Sequence, residues 1–152
     1  MGTETDLKES ARWFTSAQDD LDAARLLLHG QKFPLACFHA QQCAEKSFKA
    51  ALIASGKAPK THAISSLVKS LPPELLESQS ILLKSVKLDT LYIATRYPDA
   101  LPGGAYARDL YDYEDAQNAI AVAEGCMKML TIWAIGAGVK FDADPLQGSQ
   151  QL

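Results

Sequence analysis

The sequence has few of the residues that most often carry chemistry. It contains three histidines, His29, His39 and His62, and none after position 62. None is spaced with Cys, Asp or Glu as in a zinc-binding helix. The three cysteines, Cys37, Cys43 and Cys126, are odd in number and lie in apolar or small-residue helical stretches. A disulfide framework is excluded on that pattern, and a reducing, cytoplasmic setting is expected. No CxxC or paired Cys/His spacing points to a metal, and no glycine-rich phosphate loop is present, so no cofactor is expected. The N-terminus is acidic and polar, unlike a signal peptide. No apolar run approaches ~18 residues, so no membrane span is expected. No strand-like alternation appears. Fifteen basic against 18 acidic residues give a net charge of -3, without the global basic footprint that long phosphate backbones require.

What is present is helical periodicity. A chain of 152 residues that is 47% hydrophobic and 22% charged can bury one real core. Trp13, Ala17, Leu21, Ala24 and Leu28 mark a helix from Asp6 to His29, with Gly30 read as its left-handed stop. A second runs from Phe33 to Ser55, with Pro34 in its first turn and Gly56 after it. The short link between them makes the two antiparallel neighbours. Thr61 is read as the N-cap of a short helix, His62 to Ser70. A longer helix, with an irregular start, spans Glu74 to Thr95. Residues Arg96 to Tyr111 read as a loop. Asp112 caps a last helix whose apolar stripe includes Ala116, Ala119, Ile120, Ala123, Met127, Leu130 and Ala134. The fold class is therefore all-α, an up-and-down helical bundle of four main helices plus a short helix. The domain is expected over 6–136, with 137–152 a disordered tail.

Two features need a reason. The second helix carries a stripe of small residues, Ala36, Ala40, Cys43, Ser47, Ala50 and Ala54, which lets another backbone approach closely. Gln42, Glu45, Lys46 and Lys49 share another face. That face reads either as a solvated edge with a Glu45–Lys49 pair worth ~0.2–0.5 kcal/mol, or as a lining turned to a cleft or partner. The other feature is Arg96-Tyr97-Pro98-Asp99. Proline disfavours helix at Tyr97, so the helix stops there with a cation and an anion at the junction. Arg96 can grip a phosphate through two parallel hydrogen bonds, with Lys46 and Lys49 adding charge. It can equally pair with Asp99 or Glu45 as a clasp, or interact with the helix dipole.

The run Gln41-Gln42-Cys43-Ala44-Glu45-Lys46-Ser47-Phe48-Lys49-Ala50, then Lys60-Thr61-His62, then Arg96-Tyr97-Pro98-Asp99, resembles a HEPN domain (higher eukaryotes and prokaryotes nucleotide-binding) over about Ala11 to Ala134. The resemblance implies a helical bundle that forms a homodimer. It also implies a component of a two-component, toxin–antitoxin-like module encoded beside a minimal nucleotidyltransferase, a ribonuclease, or a domain that binds nucleotide or RNA. Glu45, Lys49 and Arg96 become candidates for one polar cluster near the dimer cleft.

Ribonucleases of this family carry an arginine, four to six residues, then a histidine. Here the positions at those spacings are Leu101, Pro102 and Gly103. Losing the proton-transfer group removes typically ~10²–10⁴-fold of rate. The departure favours a non-catalytic protein that binds nucleotide, or partners a nucleotidyltransferase, or both. Arg96, Lys49 and Lys46 would then be the phosphate-binding residues, with Asp99, Glu45 and Tyr97 orienting or clasping. A ribonuclease would need His62 to replace the missing histidine from another element. A plain dimerisation bundle would use Arg96 and Asp99 only as a clasp.

Overall fold

Thr3 starts the first helix. Its Oγ1 accepts from the Asp6 backbone N–H at 3.2 Å, and the Asp6 carboxylate accepts from the Thr3 N–H at 2.8 Å. This reciprocal box satisfies two otherwise orphaned donors, so α1 (Glu4–His29) begins earlier than the expected Asp6. The computed structural model describes residues 1–146, and no strand occurs among them.

After α1 come α2 (Phe33–Ala54), α3 (Ile64–Val68), α4 (Gln79–Val86), α5 (Leu91–Ala94), α6 (Ala107–Leu110) and α7 (Tyr113–Gly136). A 3-10 turn, Lys87–Thr90, joins α4 to α5 without a break, so the two form the fourth long arm of the bundle. That arm starts later than the expected Glu74, because Pro73–Leu75 folds as a separate 3-10 turn. The stretch expected as a loop holds 3-10 turns at Pro98–Ala100 and Pro102–Gly104, then the single turn of α6.

The three longest helices end in the same way. After α2, Gly56 (φ +82°) donates to Ile53 O and Lys57 donates to Leu52 O. After α7, Gly138 donates to Ile135 O and Val139 to Ala134 O. This pattern places one left-handed residue just past the cap. After α1 that residue is Gln31 (φ +59°), not the expected Gly30, which is itself the cap.

Helix α2 is the central element, packed against both α1 and α7. Its small stripe is consumed inside the chain: Ala36, Ala40, Cys43, Ser47, Ala50 and Ala54 have no exposed surface. Both neighbours also bury alanines completely, Ala17 and Ala24 on α1 and Ala116 and Ala123 on α7. Ser10 fits this close contact by donating to Ala50 O at 2.7 Å. By length and composition α7 is apolar enough to cross a membrane, contrary to the reading that no run approaches that length. Its apolar face is nevertheless a core face, with Ala116, Ala119, Ala123, Met127 and Leu130 buried in the bundle.

Helix α3 is shorter than expected and is not capped by Thr61. Ala63 occupies the cap position, and Thr61 Oγ1 accepts only from Ala63 N. The capping oxygens come from Asp89, which accepts from Ile64 N at 2.7 Å and Ser65 N at 3.0 Å. The packed chain also runs past Gly136. Val139 is buried, and the Phe141 ring meets Phe14 edge-on at 5.9 Å. Of the tail expected over 137–152, residues 147–152 lie outside the described residues.

The face expected as a solvated edge of α2 is buried where it matters. Glu45 is 2% exposed and Lys49 5%, and their ion pair closes at 3.1 Å. Removing one partner of a buried pair leaves an uncompensated charge and costs ~3–5 kcal/mol. Glu45→Ala is therefore expected to lower the unfolding free energy by about that much in urea titrations, and a loss under ~1 kcal/mol would refute burial of the pair. Asp89→Ala should cost about 2 kcal/mol, since hydrogen bonds to a charged group are worth ~1.5–3 kcal/mol each before water replaces them. An unchanged midpoint would mean that α3 needs no cap from the fourth arm.

Candidate functional site

Arg96 sits just past α5, where the following Pro98 holds Tyr97 in extended geometry. Its Nε donates to the Tyr92 carbonyl at 2.9 Å, one turn back along the same arm. That contact places the cation at the negative end of a helical segment. Three aromatic rings surround the guanidinium: its Cζ lies 4.3 Å from the Phe38 centroid, 4.7 Å from Tyr92 and 4.9 Å from Tyr97. Arginine suits this box because its planar, weakly hydrated group stacks on ring faces and stays charged.

The clasp expected from Asp99 or Glu45 is not formed. Among the described residues Arg96 takes part in no ion pair. Asp99 is exposed on the 3-10 turn that Pro98 begins. Glu45 is occupied elsewhere. The rings and the Tyr92 carbonyl hold the arginine instead. Its two terminal nitrogens make no hydrogen bond within the described residues, and the side chain is only partly buried.

His62 reaches the same cluster through Tyr92. Its ring stacks on Tyr92 with centroids 5.5 Å apart and planes within 16°. Its Nδ1 lies 3.4 Å from Glu45 Oε2, the oxygen that also accepts from Lys49. A carboxylate at Nδ1 favours the tautomer with its proton there, leaving Nε2 free to accept or pass a proton. The His62 side chain is 62% exposed. Glu45 is thus a ligand of His62 and Lys49, not of Arg96. Lys49 also lies over the Trp13 ring at 5.5 Å.

Neither lysine joins Arg96. Lys46 pairs with Asp20 at 2.6 Å and donates to Ser16 at 2.9 Å, while Lys49 is held by Glu45. His39 binds the same Asp20 at 2.9 Å. Burial pushes the Asp20 carboxyl up, but hydrogen bonds from His39 and Lys46 outweigh it and hold the group below its ordinary range. Its Lys46 partner is therefore a neutralised cation. Burial pushes the thiols of Cys37 and Cys126 up to about 12, and that of Cys43 further, so none is a ready nucleophile. Among the described residues no group of three or more His, Cys, Asp or Glu side chains is placed to hold a metal ion.

Phe38 and Tyr92 are the members of this cluster that the sequence alone did not single out. For Tyr92 a signal existed: it precedes Arg96 by four residues, which puts both on one helical face. For Phe38 none did, because its contact with Arg96 crosses between α2 and the segment after α5.

The site therefore offers one fixed cation with free donors and an adjacent carboxylate-held imidazole. Comparisons with known proteins match the same frame. The HEPN domain family model covers residues 10–133. A protein of Methanocaldococcus jannaschii named "Putative toxin MJ1304" is 26% identical over 132 residues, covering 82% of this chain and 87% of that protein. The crystal structure of TT1696 from Thermus thermophilus superposes with a TM-score of 0.77 at 30% identity, covering 82% of this chain and 98% of its own. That of ST0689, described as an archaeal HEPN homologue, does so with a TM-score of 0.68 at 34% identity, covering 82% and 97%. The family model spans most of the helical bundle, and this chain belongs to the HEPN family.

Proposed function

We propose that this chain is the HEPN component of a two-component, toxin–antitoxin-like module. It works as a homodimer beside a minimal nucleotidyltransferase, and Arg96 holds a phosphate of a bound nucleotide. The observation that carries the ligand reading is the state of Arg96. Its guanidinium is immobilised by Phe38, Tyr92 and Tyr97, yet its terminal nitrogens have no protein partner among the described residues. A cation ordered in advance loses little freedom when an anion arrives. A purely structural arginine would be expected to spend those donors on a carboxylate. The relative named as a toxin supports the module. The absence of any histidine beyond Arg96 supports holding over cutting.

The Glu45–His62 contact favours a second reading, a metal-independent ribonuclease. In it His62 takes the proton from an RNA 2′-OH while Arg96 steadies the phosphate. The two side chains share the Tyr92 ring, at 5.5 and 4.7 Å, but they do not share a hydrogen-bond partner. The plain dimerisation bundle loses its motive, since Arg96 and Asp99 form no clasp.

Calorimetric titration with ATP and GTP tests the first reading. Arg96→Ala is expected to weaken binding at least tenfold, about 1.4 kcal/mol. Arg96→Lys should weaken it too, because lysine offers neither the planar stack nor the paired donors. Equal affinity in all three proteins, or no heat at millimolar nucleotide, rejects Arg96 as a phosphate ligand. For the second reading, cleavage of single-stranded RNA must fall by ~10²–10⁴-fold in His62→Ala and again require Arg96. RNA left intact by the wild-type homodimer excludes it.

A further inference from the structure

A groove of about 240 Å³ lies between the fourth arm and the N-terminal half of α7, apart from the Arg96 cluster and independent of its assignment. Its floor is apolar, with Leu88 and Ala119 buried and Leu91 and Val122 half-buried. Lys84 and Lys87 stand on its rim, three residues apart and hence one helical turn from each other. Both lysines are exposed, and neither takes part in an ion pair among the described residues. They differ in this from Lys46 and Lys49, whose charge is spent on Asp20 and Glu45.

The opposite wall carries polar groups, Asn118 and Tyr111. Burial pushes the Tyr111 phenol up, with Cys37 and Asp115 adding to it, so the hydroxyl stays protonated and able to donate. Asp115 is the one acid in the lining, and its carboxylate already accepts from Asp112 N at 2.9 Å in the cap of α7. There it lies against the positive end of the helix. The local balance at the groove is therefore cationic in a chain of net charge -3.

We propose that this groove binds a small amphipathic phosphate: one ring or short apolar body on the Leu88–Val122 floor, with its phosphate between Lys84 and Lys87. Paired lysines suit a phosphate, a compact dianion with several acceptor oxygens, as point charges. The apolar floor excludes a bare inorganic anion as the preferred ligand, and the free lysines exclude a neutral hydrocarbon. The volume is below the ~300–1,000 Å³ of sites for drug-sized ligands, which limits the body to about one ring. The floor includes Leu88 and Leu91, from the 3-10 turn and the start of α5, so the ligand would rest on the segment that leads to Arg96.

The test is amide-resolved NMR of the full chain titrated with phenyl phosphate. Saturable shifts are expected at Leu91, Asn118 and Val122. Inorganic phosphate and benzyl alcohol should each bind at least tenfold more weakly. Lys84→Glu/Lys87→Glu, at two exposed positions outside the core, should abolish the shifts, and Arg96→Ala should leave them in place. The proposal is overturned if the shifts centre on Phe38 and Tyr97 and vanish in Arg96→Ala. It is also overturned if inorganic phosphate binds as well as phenyl phosphate. A groove closed to the probe, together with a molecular mass that falls in the lysine double variant, would assign the surface to subunit contact and reject a ligand there.

Discussion

The close approach of α2 to its two neighbours sets the geometry of everything else. Six small, fully buried residues along one side of α2 favour its close packing in the bundle with α1 and α7. A helix clasped on two sides this tightly has little room left on its circumference. Gln41, Glu45 and Lys49 are drawn into the interior although their chemistry favours water. A buried carboxylate must then find partners, and Glu45 finds two: the Lys49 ammonium on its own helix and the His62 imidazole on the segment after it. Packing, rather than any property of the acid, makes Glu45 the tie between the bundle and the connection to α3.

The fourth arm is tied in differently. It is short, partly 3-10, and meets the core through Leu82, Ser85 and Leu88. Asp89 caps α3 from this arm, and the Tyr92 ring contacts both His62 and Arg96. The arm therefore acts as a bracket whose two ends organise neighbouring segments. Arg96 is the last residue it positions. Beyond it the chain turns at Pro98, and Asp99, which follows, forms no ion pair with it. The outcome is a cation ordered by rings instead of by a countercharge, which preserves its electrostatic reach. Lys46 and Lys49 have lost theirs to Asp20 and Glu45.

Much of the fold was legible because it rests on local periodicity. Helices α1, α2 and α7 follow from apolar spacing, from Asp112 as a cap, and from Gly56 as a stop. Errors fell where a neighbouring residue could do the same job. Gln31 took the left-handed position instead of Gly30, and Thr3 began α1 before the apolar stripe did. The cap of α3 was illegible because Asp89 supplies it from 24 and 25 residues away. In the site, Arg96 and the tyrosine after it stood out by sequence, but their companions did not. Asp99 lay close in sequence and proved distant in effect, whereas Phe38 and Tyr92 supply the actual contacts.

The sequence by itself determined the all-α class, the family, the position of the arginine and the lack of a histidine beyond it. Each of these depends on residue identity or on spacing within a few turns. Only the tertiary structure decided which charges are spent and which are free. Ion pairing depends on distance and burial, and both are set by how α2 is enclosed and where the fourth arm lies across it. The run that looked like a solvated helix edge became a buried pair. The junction that looked like a clasp became an arginine held by aromatic rings, its terminal donors unused among the described residues.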